Sequence, residues 1–471
     1  MTTLKSISSC TMLRIVSGAA VTVALFASPV RLHSQQTSID DSQAGVLTNL
    51  DQSTLYPIQT QMAQTSNQNH LNENADTARY TDNAFRQRPF YFSIETLGIW
   101  TSNLANTYDT VPAKSGEYLR LGAPVGVHFW NSRSDFNAFL RVDSSLYPGN
   151  SYLNHTSEVY SHQYVRKLSE ITTASWSLAG GHVVTLGQYL SPLIGVGSTG
   201  VVSPQQTGGL QATNDAATTF TLAHQFSERD TITASGTAGW LDQPLLAVKN
   251  AQIIGAYRQV TGGGVLQWQH ALNSREIAGV ELNNVYVKGL NPDGDSNFSS
   301  AKLTFSQTLT PHTFFTGGIG PLFIHSVFPG VPNQDEISYA ANAAVDYNQR
   351  IGHISAGYAR VYAVGYLSPS SLANQLYASF DRPVSSRLHL TADTQYIRTT
   401  LPVQQQAGAY SQVGFTTRLD MYLTPTLIYQ IGGSVFNQDA TPEIPGYHYN
   451  TFSTGITYAF GHRLNAAEVQ P

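Results

Sequence analysis

From Phe90 to Phe460 apolar and polar residues alternate with period two over runs of about ten residues, the pattern of strands with one greasy and one wet face. Ile337, Tyr339, Ala341, Ala343, Val345 and Tyr347 alternate with Ser338, Ala340, Asn342, Ala344 and Asp346. Ala301, Leu303, Phe305 and Leu309 alternate with Ser300, Lys302, Thr304, Ser306 and Thr308. Ile232, Ala234, Gly236, Ala238 and Trp240 do the same against Thr233, Ser235, Thr237 and Gly239, as do Val413, Phe415, Leu419, Met421 and Leu423 against Gln412, Thr416, Arg418, Asp420 and Tyr422. No segment has the helical period needed to cover these faces.

Short polar turns punctuate the strands at Asn131–Asp135, Gly180–Gly181, Ser227–Asp230, Asn273–Glu276, Thr310–His312, Asn348–Gly352, Asp381–Arg387 and Thr424–Thr426. Longer connections lie between them: Ser102–Glu117, Tyr147–Thr156, Ser191–Asp215, Asp242–Asn250, Gly289–Asn297, Pro329–Glu336, Leu367–Ser371, Thr400–Gly408 and Asn437–Tyr447. Short and long alternate strictly, which gives about 18 strands with both ends on the short-turn side and 16 as the next count. Ser157–Leu178 and Gln252–Leu272 each enter that count as one long strand, and Pro124 and Pro321 inside strands imply bulges.

The chain opens with Lys5 and Arg14 followed by the apolar run Ile15–Ala27, too short to span a bilayer and of the length of a secretory signal. A signal peptide over residues 1–34, cut somewhere between 27 and 34, is therefore expected. Cys10, the only cysteine, would leave with it, which excludes a disulfide framework and cysteine metal sites in the mature chain. Cleavage after Ser34 would also remove Lys5, Arg14 and Arg31, taking the net charge from −5 to −8, and no basic patch points to nucleic acid. Residues 35–88 are rich in Gln, Asn, Thr, Ser and Asp without a sustained period and read as a polar, flexible periplasmic arm.

With 12% charged residues, 38 Gly, 25 Tyr and 20 Phe, the remainder has the composition of alternating lipid-facing and lumen-facing strands. In hydrocarbon every backbone group must be paired internally, and a closed barrel is the only sheet that does this. The fold expected for residues 89–460 is thus all-β, a transmembrane antiparallel up-and-down barrel, with 461–471 as a C-terminal tail. The closing segment Gly455-Ile456-Thr457-Tyr458-Ala459-Phe460 resembles the C-terminal sorting signal of Gram-negative outer-membrane β-barrels, with Gly455, Ile456, Tyr458 and Phe460 as its marks. The resemblance implies a porin-like protein of the bacterial outer membrane, with lipid and the barrel-insertion machinery as partners.

A barrel of this size holds an aqueous channel unless plugged, so passive diffusion of small hydrophilic solutes is the function expected. The barrel of an envelope assembly, such as surface-polysaccharide export or attachment, is the alternative, and homo-oligomerisation is left open. Side chains expected to line the pore are Arg120, Arg141, Asp143, Glu281, Lys302, Asp346, Asp393, Arg418 and Asp420, a set without a dominant sign. In porins the third external loop commonly narrows the lumen, and the resemblance assigns that role to Ser191–Asp215, which is nearly uncharged through Pro204. Asp293-Gly294-Asp295-Ser296-Asn297 has the spacing of half a calcium loop, but position 12 is Thr304, so it reads as a surface turn. Fourteen His are scattered without a metal-binding pair, and no catalytic set, metal or cofactor is expected.

Overall fold

The structure, a computed structural model, describes residues 90–103, 115–186, 201–202, 210–243, 257–291, 293–328, 331–349, 352–365, 368–385, 387–400, 409–424, 426–439 and 446–460. The expected signal peptide, arm and tail, and much of the 191–215 loop, lie outside these residues. In chain order the strands are β1 (Phe90–Thr101), β2 (Gly116–Trp130), β3 (Ser134–Leu146), β4 (His155–Ser169), β5 (Thr172–Leu186), β6 (Val201–Val202), β7 (Leu210–Gln225), β8 (Asp230–Gln243), β9 (Tyr257–Ala271) and β10 (Glu276–Asn291). They continue as β11 (Asp293–Thr310), β12 (Thr313–Phe328), β13 (Val331–Gln349), β14 (Gly352–Gly365), β15 (Ser368–Ser385), β16 (Leu388–Thr400), β17 (Ala409–Thr424), β18 (Leu427–Gln438) and β19 (Tyr447–Phe460).

All of these except the two-residue β6 form one ring in which each strand pairs antiparallel with its chain neighbours, β5 pairing directly with β7. The ring closes where β1 meets β19, with Phe92 opposite Phe460 and Thr101 opposite Thr451. It is an 18-stranded up-and-down barrel. Strands about 4.8 Å apart and tilted about 40° give a circumference near 113 Å and a backbone diameter of about 36 Å.

Period two sorts the side chains between outside and inside. On β1, Phe90, Ile94 and Trp100 are exposed while Ser93, Glu95, Leu97, Ile99 and Thr101 are buried. The exterior carries Leu303 at 68% exposure with Ile319, Phe323, Leu376, Phe415, Phe452 and Ile456 also exposed, a distribution that water would penalise and hydrocarbon rewards. From Phe90 to Trp100 the belt runs about 34 Å along the strand, or roughly 26 Å across a bilayer at the same tilt of about 40°, matching the apolar band of membrane barrels. Gly455, in the closing strand, faces inward opposite Leu97, and a Cβ there would collide with the Thr96 carbonyl and with Leu97. Its absence of a side chain is what lets β19 seat against β1.

The strand number agrees with the expectation, but its bookkeeping does not. Ser157–Leu178 is a hairpin that turns at Glu170–Ile171, and Gly180–Gly181 lies within β5. A Cβ on Gly181 would meet the Glu158 carbonyl of β4, so that glycine serves close strand approach rather than a turn. The connections expected at Gly289–Asn297, Pro329–Glu336 and Leu367–Ser371 are mostly strand, because β10–β15 run on beyond the expected strand ends. Nor are there bulges at the inner prolines. At Pro124 the β1–β2 register is unchanged from Phe92 opposite Val125 to Glu95 opposite Gly122, and at Pro321 the β11–β12 register is unchanged from Ser300 opposite Leu322 to Leu303 opposite Ile319. A missing N–H interrupts the ladder on one side without inserting a residue, and register shifts fall beside turns instead, as at Lys167/Ser169, Thr308/Thr310 and Tyr422/Thr424.

One junction departs from the rest. β13 pairs with β14 only from Ala341 opposite Arg360 to Gln349 opposite Gly352, although β13 begins at Val331 and β14 continues to Gly365. Beyond Arg360 the edge of β14 that β13 has left is taken by β6, which runs parallel to it with Val201 opposite Tyr362 and Val202 opposite Ala363.

Candidate functional site: the charged inner wall

The register sets the inward charges in rows. Glu95 on β1 pairs with Gly122 on β2, which pairs with Asp143 on β3, so two carboxylates flank a glycine. The space over Gly122 is filled by the guanidinium of Arg141. Its Nε donates to Asp143 Oδ2 at 2.7 Å, and its Nη2 donates to Asp143 Oδ1 at 2.9 Å and to Glu95 Oε2 at 2.6 Å. A Cβ on Gly122 would sit 2.7 Å from Asp143 Oδ1 and 3.0 Å from Arg141 Nη2, so only glycine leaves room for this bidentate fork. Arg120 lies one inward position further along β2, opposite Leu97 and Ser145, and is buried with them.

Across the barrel Glu281 on β10 is the direct partner of Lys302 on β11, with Lys302 Nζ 2.7 Å from Glu281 Oε1. A third assembly follows the short-turn rim. Asp346 (β13), His353 (β14), Asp381 (β15), His389 (β16) and Asp420 (β17) occupy inward positions on successive strands, with Asp346 opposite Ser355, His353 opposite Asp381 and His389 opposite Asp420. His389 Nε2 lies 2.7 Å from Asp381 Oδ1, His353 Nε2 lies 3.5 Å from Asp346 Oδ1, and Arg418 Nε donates to Asp420 Oδ1 at 2.7 Å. Asp393 stands higher on β16, between Ser379 and Thr416.

All nine residues named from the sequence therefore fall on the inward parity. Glu95, Gly122, His353, Asp381 and His389, which complete their groups, were not among them. Glu95 was legible from the alternation Ser93-Glu95-Leu97, whereas Asp381 is masked in sequence by the turn-like Asp381-Arg382-Pro383. Arg141, Lys302 and Arg418 each sit against an acid, no ring of one sign is seen among the described residues, and none of their His, Asp and Glu gather in threes that could hold a metal.

The turns are held by their own polar groups. The Ser227 hydroxyl donates to Asp230 Oδ2 at 2.6 Å and His270 Nδ1 lies 2.8 Å from Asp230 Oδ1. These hydrogen bonds, Ser227 first and then His270, hold the Asp230 carboxyl below the usual carboxylate range.

Of the 191–215 loop, β6 shows where one part goes. Counting round the ring, β14, on which β6 lies, is seven strands from β7.

A closed antiparallel barrel with an apolar belt outside and a polar, ion-paired wall inside defines the class: this is an outer-membrane β-barrel. No family model matches the chain, and no curated protein does. Among solved structures it overlaps the FrpB iron transporter from Neisseria meningitidis (F3-3 variant) at TM-score 0.41 and 8% identity, over 79% of this chain and 81% of that one. It overlaps Pseudomonas aeruginosa OccK7 (OpdD) at TM-score 0.36 and 13% identity, over 79% and 98%. Acinetobacter baumannii OccAB3 overlaps at TM-score 0.38 and 10% identity, over 79% and 99%. None of these overlaps bears on what this chain carries.

Proposed function

We propose that the protein is a porin-like channel through which small hydrophilic solutes diffuse down their gradients. The observation that carries this reading is the width of the ring: 18 strands enclose more space than inward side chains can fill. The wall of that space is polar, with Ser93, Ser157, Thr219, Thr221, Thr391, Gln412 and Gln430 on inward positions beside the charged groups. In this reading Arg120, Arg141, Asp143, Glu281, Lys302, Asp346, Asp393, Arg418 and Asp420 belong to the wall of the route, and Arg120, Arg141, Asp143, Glu281, Lys302 and Asp420, at 6% exposure or less, stiffen that wall rather than meet the solute. Because the acids and bases lie in pairs, they impose little selection by charge and act mainly by setting its bore. The test is swelling of vesicles holding the purified protein in a size series of neutral sugars. Uptake that falls smoothly with solute size supports diffusion, and vesicles as tight as protein-free controls exclude it.

A further inference from the structure

Among the described residues four cations take outward positions towards the long-loop ends of their strands: Arg258 on β9, Lys288 on β10, Arg360 on β14 and Arg398 on β16. Two are answered by acids. Arg258 Nε lies 3.1 Å from Asp242 Oδ1, and Lys288 is the direct cross-strand partner of Asp295. The other two are not. Arg360 donates from Nη1 to Tyr339 Oη at 3.3 Å and to Asn374 Oδ1 at 3.1 Å, and from Nη2 to Ser338 Oγ at 3.3 Å, all uncharged acceptors, while its Nε has none. Arg398 is exposed and forms no ion pair with a described acid.

The register brings these two together. Arg360 pairs with Asn374 on β15, and Asn374 pairs with Arg398 on β16, so the arginines stand two strand spacings, about 10 Å, apart with an amide between them. The next outward row towards the short turns is apolar and aromatic, Tyr358, Leu376, Tyr396 and Val413 in strand order, with Leu376 at 53% exposure. On the β13 side Ile337, 77% exposed, and Tyr339 flank it, the Tyr339 ring centroid lying 4.2 Å from Arg360 Cζ. Tyr358 Oη donates to Asn374 Oδ1 at 2.9 Å and Tyr396 Oη lies 3.3 Å from Ser411 Oγ, so these phenols turn their polar tips to the arginine row and leave their rings in the belt. Asp439, whose N–H donates to the Ser411 carbonyl one strand further on, makes no ion pair with Arg398.

A guanidinium without a counter-charge is costly where hydrocarbon begins, and two in one row also repel each other. An anion between them relieves both costs. The surface directly beneath is apolar, so the anion that fits carries hydrocarbon of its own. We propose that Arg360 and Arg398 hold the phosphate head of an anionic lipid, whose acyl chains run along Ile337, Leu376 and Val413. Guanidinium forks match phosphate oxygens two at a time, and the long loops of such barrels face outside, which puts the lipid in the outer leaflet. The site lies on the outer wall, goes beyond aqueous diffusion and stands without it.

The test places a reporter under the row. Leu376→Trp protein is refolded into vesicles containing brominated phosphatidylglycerol or brominated phosphatidylcholine, whose phosphate its own choline neutralises. Quenching of the added tryptophan is read after subtracting that of protein without the substitution. Two basic residues predict a preference for phosphatidylglycerol of about 30-fold, each arginine contributing about fivefold. Arg360→Gln with Arg398→Gln should erase it, either alone should leave about fivefold, and Arg258→Gln, whose cation already has its acid, should leave it whole. Equal quenching by the two lipids overturns the site, as does a preference that survives the double substitution. If the double variant does not refold, added sodium chloride decides: the reporter protein's preference must fall as salt rises, and a preference indifferent to salt overturns the proposal. Inorganic phosphate that erases the preference where chloride of equal ionic strength does not would show a site for the free anion and overturn the lipid.

Discussion

Arg141 is the side chain whose loss should cost most for its size. It holds two carboxylates, Glu95 and Asp143, through three hydrogen bonds of 2.6 to 2.9 Å, and the three side chains are between 2% and 7% exposed. Arg141→Ala removes the guanidinium that both acids share across Gly122. Breaking a buried ion pair from one side costs about 3–5 kcal/mol, whereas an exposed pair costs about 0–1 kcal/mol. Replacing the whole group by Glu95→Gln, Arg141→Met and Asp143→Asn removes the charges together and should return most of that loss. The assay is reversible urea unfolding of the protein in lipid vesicles, followed by tryptophan fluorescence, for wild type, the single variant and the triple variant. A single-variant loss below about 1 kcal/mol, or a triple variant no more stable than the single, would show the group to be wetted and refute the reasoning.

Three further outcomes follow from the geometry. Leu303→Arg, flanked outside by Val280 and Ile319, should lower stability by about 2–4 kcal/mol in the same assay, while Thr304→Arg on the inner face should cost much less; equal losses would contradict the register. Gly455→Val should block closure of β19 on β1, read as loss of the heat-modifiable folded band after refolding into vesicles, while Gly236→Val, where a Cβ meets nothing within 4 Å, should refold. The carboxyl of Asp230 is held below its ordinary range, so its contribution is present above the unfolded carboxylate value of about 3.9 and lost as pH falls through the folded one. Asp230→Asn should therefore be less stable than wild type at pH 7, and the gap should close on acidification; a gap independent of pH would exclude the ionised acceptor.

Much of the barrel is legible in the sequence because its physics is local. A strand between hydrocarbon and water must alternate, so Ala301 to Leu309 or Val413 to Leu423 announce both their structure and their faces, and inward parity picks out Arg141 or Asp420 directly. What the sequence hides is non-local or lies beyond the bilayer. Gly180–Gly181 carries the signature of a turn, yet it lies within β5, where Gly181 lets that strand approach β4, while the true turn at Glu170–Ile171 has no glycine or proline. Gly289 to Asn297 looks like a loop because, outside the lipid, neither face of a strand has to be apolar. The joining of Glu95 to Arg141, or of His389 to Asp381, depends on which strands are neighbours and in what register. The parting of β13 from β14 leaves no trace in either strand's own pattern.

The central claim is an open aqueous route through the ring, and single-channel conductance of the mature protein in planar bilayers tests it most directly, with and without residues 35–88. The account predicts steady, ohmic, weakly ion-selective steps from both proteins. A full-length protein that is silent, and conducts only when residues 35–88 are deleted, would contradict it.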